Sequence, residues 1–172
     1  EALAQLDSIR DGFADAMNQE LEGMWARKLG LAAPDTALAN ELLELMLRSQ
    51  ADYTILFRRL CDLPEQASAL QHAFYQPLSG ALDAQWSDWL RRWRDQLAAN
   101  GDLGDTTAAM KRVNPAITWR EWLIAPAYQQ AEQGDTSLIQ ELQAVFSHPY
   151  DAPAAELAAT YDRLKPREFF NA

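Results

Sequence analysis

Cysteine is nearly absent from this sequence: Cys61 is the only one among 172 residues. No internal disulfide can form, and no zinc site can be built from thiolates. Histidine is almost as scarce, and His72 and His148 lie far apart and in no ligand-spaced motif. Gly-rich phosphate loops are missing too. The run from Asn100 to Asp105 contains two glycines, but no strand precedes it, so it reads as a turn between helices. No apolar run approaches the roughly eighteen residues of a membrane span, which excludes a membrane as partner. An excess of basic charge is also lacking. The formal net charge is −10, and such a surface repels polyanions, so nucleic acid is not an expected partner. The opening residues show no basic stretch followed by an apolar one, so they are not expected to be a secretory signal. They already read as helix, and two adjacent aromatics, Phe169 and Phe170, stand near the other end. The expectation is a piece of a longer protein.

What the sequence does contain is helix. Hydrophobic residues make up 48% of it, enough for a continuous core, and they recur at spacings of three and four rather than two. A first helix is predicted from Leu3 to Leu29, with Phe13, Met17, Leu21, Met24 and Trp25 on one stripe and Gly30 as its terminator. Pro34 and Asp35 open a second, with Leu38, Leu42, Leu43, Met46 and Leu47 as its apolar face. A third carries Tyr53, Ile55, Leu56, Phe57 and Leu60. Pro64 is placed at the start of a fourth, which ends before Pro77. The strongest periodicity follows, in Leu82, Trp86, Trp89, Leu90, Trp93 and Leu97. Asp105 and Thr106 are expected to cap a short helix, and Asn114-Pro115 to open the next, which holds Trp119, Trp122 and Leu123. Pro126 is expected to kink or split that helix. Gly134 closes it, and Asp135 or Thr136 caps another carrying Leu138, Ile139, Leu142, Val145 and Phe146. Pro153 begins a last one with Leu157 and Tyr161. The fold class is all-α: one irregular domain of about eight to ten helices.

Each group that suggests chemistry also has a structural reading. Trp86, Trp89 and Trp93 would serve as an aromatic platform, but they share a face with Leu82, Leu90 and Leu97 and read as core. Arg91, Arg92 and Arg94, with Arg58 and Arg59, have the forked geometry that grips phosphates; pairing with Asp83, Asp88 and Asp95 is the reading favoured here. Glu41 with Glu44, and Glu20 with Glu22, lack the histidine at helical spacing that a bundle metal site needs, and read as solvated faces. Cys61 reads as a small buried hydrophobe. From these residues alone no catalytic, metal-binding or cofactor-binding side chain is assigned.

Several blocks resemble one family. Ala51 to Leu60 (ADYTILFRRL) resembles the ADYTLFFRRL segment of the selenoprotein O, or YdiU-like, family. Met110 to Leu123 resembles its VNPKY and following segments, with Arg120 on a family arginine. Lys28 to Leu31 is similar to its KLGL, Ala131 to Asp135 to its AEQGD, and Pro149 to Asp151 to its NPYDE segment. The blocks keep the family's order and spacing over nearly the whole chain. The resemblance implies the helical C-terminal part of a protein-kinase-like fold. It implies a parent that uses ATP and Mg²⁺ to transfer AMP, or UMP in some members, to hydroxyl side chains of proteins, with those motifs upstream of Glu1. The implied partners are that missing catalytic part, toward which Arg58, Arg59 or Arg120 would point, and the parent's protein substrates. The implied location is a bacterial cytoplasm. There are departures: Ala116 to Trp119 replace Lys-Tyr-Val-Leu type residues, Glu121 replaces an asparagine, and Cys61 stands where serine is usual. The chain holds no cysteine or selenocysteine near its end, where members often carry one. Two other readings remain: an acidic helical module that recruits protein partners, and part of a catalytically dead homologue.

Overall fold

The structure, a computed structural model, describes residues 2–99 and 101–155 together with 158 and 161, with side chains from Arg10 onward. Among these residues seven α-helices and one 3₁₀ helix follow one another: α1 (Ala2–Leu29), α2 (Thr36–Arg48), α3 (Tyr53–Leu60), the 3₁₀ helix (Ala67–Ala73), α4 (Gly80–Ala99), α5 (Leu103–Val113), α6 (Glu121–Glu132) and α7 (Ser137–Phe146). The all-α expectation holds. The only bridge of β type among them is the isolated pair Ala51–Phe74.

α4 forms the axis. Trp86, Trp89, Leu90, Trp93 and Leu97 are its buried stripe. The tryptophans therefore belong to the core, as their spacing predicts. Trp89 and Trp93 stack at 5.6 Å, and Trp86 meets Trp89 edge-on at 6.2 Å. Two of the indoles also donate hydrogen bonds: Trp93 Nε1 to the carbonyl of Leu29 at 2.8 Å, and Trp89 Nε1 to that of Leu38 at 3.0 Å. Trp86 Nε1 has no acceptor among the described residues.

The end of α1 shows why the fold closes there. Gly30 has φ +69°, and Leu31 N donates to Ala26 O while Gly30 N donates to Arg27 O. This is the paired-bond helix stop that glycine permits. A Cβ on Gly30 would lie 2.7 Å from a methyl of Thr106 and 2.8 Å from Met110 Sδ, so glycine also lets α5 approach. The remaining terminal carbonyls, Lys28 O and Leu29 O, are taken by the side chains of Asn114 and Trp93. All four orphan acceptors of a 28-residue helix are thus satisfied.

Two apolar cores result. The larger gathers α1 to α5 and the 3₁₀ helix. The smaller is built from Ile117, Leu123, Ala127, Leu142 and Tyr161, with Trp122, Leu138, Ile139, Val145 and Phe146 packed against it.

Several sequence expectations need correction. Pro64 does not start an α-helix; it is buried in a loop before the 3₁₀ helix. The cap of α5 is Asp102, whose carboxylate accepts from Gly104 N at 2.7 Å, rather than Asp105 or Thr106. Asn114 closes α5 instead of opening the next helix, because its amide is drawn inward by α1. Residues 115–120 are consequently non-helical, and Trp119 is 70% exposed outside α6. Pro126 sits inside α6 without splitting it. Leu47 is exposed, since no neighbour reaches that edge of α2. Pro153 and Tyr161 belong to a segment in which Leu157 lies outside the described residues.

The tryptophan substitutions separate the hydrogen bonds from the packing. Trp93→Phe leaves the Leu29 carbonyl unpaired and is expected to cost ~1–3 kcal/mol more than Trp86→Phe, which removes an unpaired donor, while Trp89→Phe, whose acceptor Leu38 O keeps its place in the helical ladder of α2, should fall between them. Urea-denaturation midpoints of the three variants check this ranking. Equal costs would show that the indole bonds contribute nothing.

Candidate functional site at the junction of the two cores

A concavity of about 330 Å³ lies where the two cores meet. α3 supplies one wall with Thr54, Ile55, Arg58 and Arg59; residues 116–123 supply the opposite one. Asp62, His72 and Lys111 line another part of it, and Pro153 and Tyr161 a third.

α3 is set by Asp52. This residue precedes the first turn, and its Oδ1 accepts from Ile55 N at 3.1 Å, a conventional N-cap. It is also 5% exposed, an unusual place for a carboxylate. Three further contacts explain how it is tolerated. Arg120 Nη2 reaches the same Oδ1 at 2.8 Å, the Tyr75 hydroxyl donates to Oδ2 at 3.2 Å, and Asp52 N donates to Ala73 O at 2.7 Å. Arg120 Nη2 also reaches Thr54 Oγ1 at 2.9 Å, and Thr54 bonds Thr118 at 3.1 Å. One ion pair, its carboxylate buried and its guanidinium half-buried, thus fastens the segment entering α6 onto the start of α3. Charges of this kind are stable only when paired and hydrogen-bonded together.

The second fastening is Asn114, which is wholly buried. Its Nδ2 donates to Lys28 O at 2.8 Å, and its Oδ1 accepts from Lys28 Nζ at 3.1 Å. The Arg58 guanidinium donates from Nη1 to the carbonyls of Lys111 and Asn114, at 3.2 and 3.1 Å. The end of α5 is therefore held by α1 and α3 together. Lys28 in turn lies over the rings of Tyr53 and Phe57, at 5.3 and 5.0 Å, and burial pulls its ammonium below the ordinary lysine range.

The three arginines singled out from the sequence converge on this cavity, but they differ in what they have left to offer. Arg58 and Arg120 use one Nη each within the chain. Lys111 pairs with Asp62 at 3.0 Å. Arg59 is exposed and makes no side-chain hydrogen bond or ion pair among the described residues. The arginines of α4 behave differently. Arg91 and Arg92 pair with Asp88 and Asp95, as expected, and Arg92 also with Glu41, while Arg94 turns to Glu65 and the Leu63 carbonyl. They contribute nothing to the cavity.

Burial and the facing Glu141 carboxylate push the Tyr161 phenol up to about 12, so it stays protonated at neutral pH. Neither the Tyr161 hydroxyl nor Glu141 Oε1 makes a hydrogen bond of good geometry. Burial also raises the Cys61 thiol, which donates to Phe57 O at 3.3 Å and is fully enclosed. No group of three or more His, Cys, Asp or Glu side chains among the described residues is placed to hold a metal ion. Asp52, Lys111, Tyr75 and Thr118 were not singled out from the sequence. Only Asp52 carries a local signal, an aspartate just before an apolar helical run; the others meet across more than twenty residues of chain.

Asp52→Ala is expected to cost ~3–5 kcal/mol, because it strands the Arg120 charge and removes a helix cap together. The pair Asp52→Ala and Arg120→Ala should then cost clearly less than the two single changes added, in a double-mutant denaturation cycle. Strict additivity would mean that the pair is not coupled. Cys61 should resist a disulfide reagent such as dithiobisnitrobenzoate in the folded chain and react with one equivalent on unfolding; fast native-state labelling would contradict its enclosure.

The family model described as protein adenylyltransferase SelO matches residues 2–147 of this chain. The protein nucleotidyltransferase YdiU of Xanthomonas axonopodis pv. citri is 37% identical to it over 155 residues, which cover 85% of this chain and 29% of the relative. The YdiU protein of Aromatoleum aromaticum is 34% identical over 149 residues, or 82% and 28%. That of a Bradyrhizobium strain is 34% identical over 157 residues, or 88% and 31%. The chain therefore spans less than a third of the length of these curated relatives. With residues 2–147 matched by the family model, the chain belongs to the SelO/YdiU family of protein nucleotidyltransferases.

Proposed function

We propose that this chain is the C-terminal helical scaffold of a protein adenylyltransferase. In this reading, ATP and Mg²⁺ are held, and AMP is transferred to protein hydroxyl groups, by the larger part of the family length that the chain does not span. The donor chemistry here supports that division. The described residues offer no carboxylate set for Mg²⁺, so no catalytic step is assigned to them.

The observation that carries the reading is the first half of α1. Every position from Arg10 to Glu22 is exposed, and Phe13, Met17 and Leu21 are 65%, 48% and 43% exposed on one stripe. A solitary helical arm of this length is marginal in water, and an uncovered row of large apolar side chains marks a contact face. The stripe falls inside the stretch matched by the family model. Its occupant in this proposal is the catalytic part of the same protein. Of the arginines directed there by the resemblance, Arg58 and Arg120 already bond within this chain, so α1 is the better docking face.

Two measurements test the proposal. A protein of full family length, mixed with labelled ATP and Mg²⁺, should become labelled, while the 172-residue chain alone should not. Labelling by the chain alone would overturn the division. Changing Phe13, Met17 and Leu21 together to serine should leave the melting temperature of the 172-residue chain unchanged, because all three are exposed there. In the full-length protein the same change should lower it by several degrees. No difference between the two settings would remove α1 as the docking face.

A further inference from the structure

We propose that the cavity between α3 and residues 116–123 is a binding site for a small phosphate monoester with a flat apolar body. This inference stands independently of where AMP transfer occurs.

The charge of the cavity argues for an anion. Among the described residues Arg58, Arg59, Lys111 and Arg120 line it, against the carboxylate of Asp62. Asp52 lies behind Arg120 and cancels one more charge. Glu141, which faces the lining Tyr161, adds a third negative charge, so among the described residues four positive charges stand against three negative ones and the cavity stays positive, the sign that draws an anion such as a phosphate monoester. Donors remain to bind it. A guanidinium carries five N–H groups; among the described residues Arg58 and Arg120 each engage only one Nη, and Arg59 engages none. The forked geometry of arginine matches phosphate oxygens in pairs. Backbone and buried side-chain bonds hold Arg58 and Arg120 in place, so little ordering is left for the moment of binding.

The rest of the lining is apolar. Ile55, Ile117, Trp122 and Leu123 form walls that no phosphate needs. A volume of about 330 Å³ falls at the lower end for small-molecule sites, far more than one phosphate fills. A flat hydrocarbon or heteroaromatic body accounts for that space. The described residues provide no cluster for a divalent cation, so binding is expected without one.

Titration calorimetry of the 172-residue chain in a chelator-containing buffer tests the site, with phenyl phosphate, inorganic phosphate and phenol as probes. Phenyl phosphate is expected to bind one to one and more tightly than either fragment. Arg59→Ala should weaken it at least about tenfold, the loss of one charge-assisted contact, with the melting temperature unchanged. Arg59→Lys should restore part of the loss. Arg112→Ala, an exposed change outside the lining, should leave affinity as it was. No saturable binding in the millimolar range, or equal affinity of the Arg59→Ala chain, would overturn the site. Equal affinity for phenyl phosphate and inorganic phosphate would overturn the apolar part of it.

Discussion

Short helices leave about four unpaired carbonyls at each C-terminus, and in this fold the satisfaction of those groups by side chains from other helices decides how the helices sit. α1 is the clearest case. Its last carbonyls are closed by its own glycine turn, by Asn114 and by Trp93. The end of α5 is closed by Arg58. The Leu63 carbonyl after α3 is taken by Arg94. Each bond is worth little net, about 1 kcal/mol, but an unmade one in a buried place costs more. Apolar packing brings the elements together, and these polar closures select one arrangement among many that would bury similar area.

The cavity follows from the same rule. Arg58 and Arg120 are there because Asn114 and Asp52 need them, and the space between them is a by-product of two cores fastened at two points. Chemistry is available only from groups that structure has not used up. This distinguishes Arg59 from its chain neighbour Arg58 and from Arg120, although all three line the same cavity. It also sets apart the arginines of α4, which are as numerous but are committed to Asp88, Asp95, Glu41 and Glu65.

Helix periodicity made most of the fold legible. The Leu38, Leu42 and Met46 face of α2 and the tryptophan stripe of α4 are buried as their spacing requires. Periodicity identifies a face but not its neighbour. Phe13, Met17 and Leu21 repeat every four residues like Trp86, Leu90 and their companions, yet one set is enclosed and the other bare. Proline and asparagine signals failed for a related reason. Pro64 and Asn114-Pro115 are good helix starters by local rules, but a long-range demand overrode them in the case of Asn114: the carbonyl of Lys28 lies 86 residues away in sequence. The cavity was half legible. Its arginines were visible as residues, whereas the carboxylate, threonines and lysine that fix or neutralise them came from elements whose proximity no local pattern encodes.

The overall charge of −10 does not oppose an anion site, because the two statements refer to different distances. At physiological salt the Debye length is about 8 Å, so acidic residues on the far faces of α1 and α2 are largely screened from the cavity. What an entering group meets among the described residues is the local set: Arg58, Arg59, Lys111 and Arg120 against Asp62, the hidden Asp52 and Glu141 behind Tyr161. Low-dielectric walls such as Ile117 and Leu123 strengthen that local field rather than the distant one. Net charge accordingly argues against a long polyanion, which must lie along the whole acidic surface, while leaving a small anion free to enter a pocket of opposite sign.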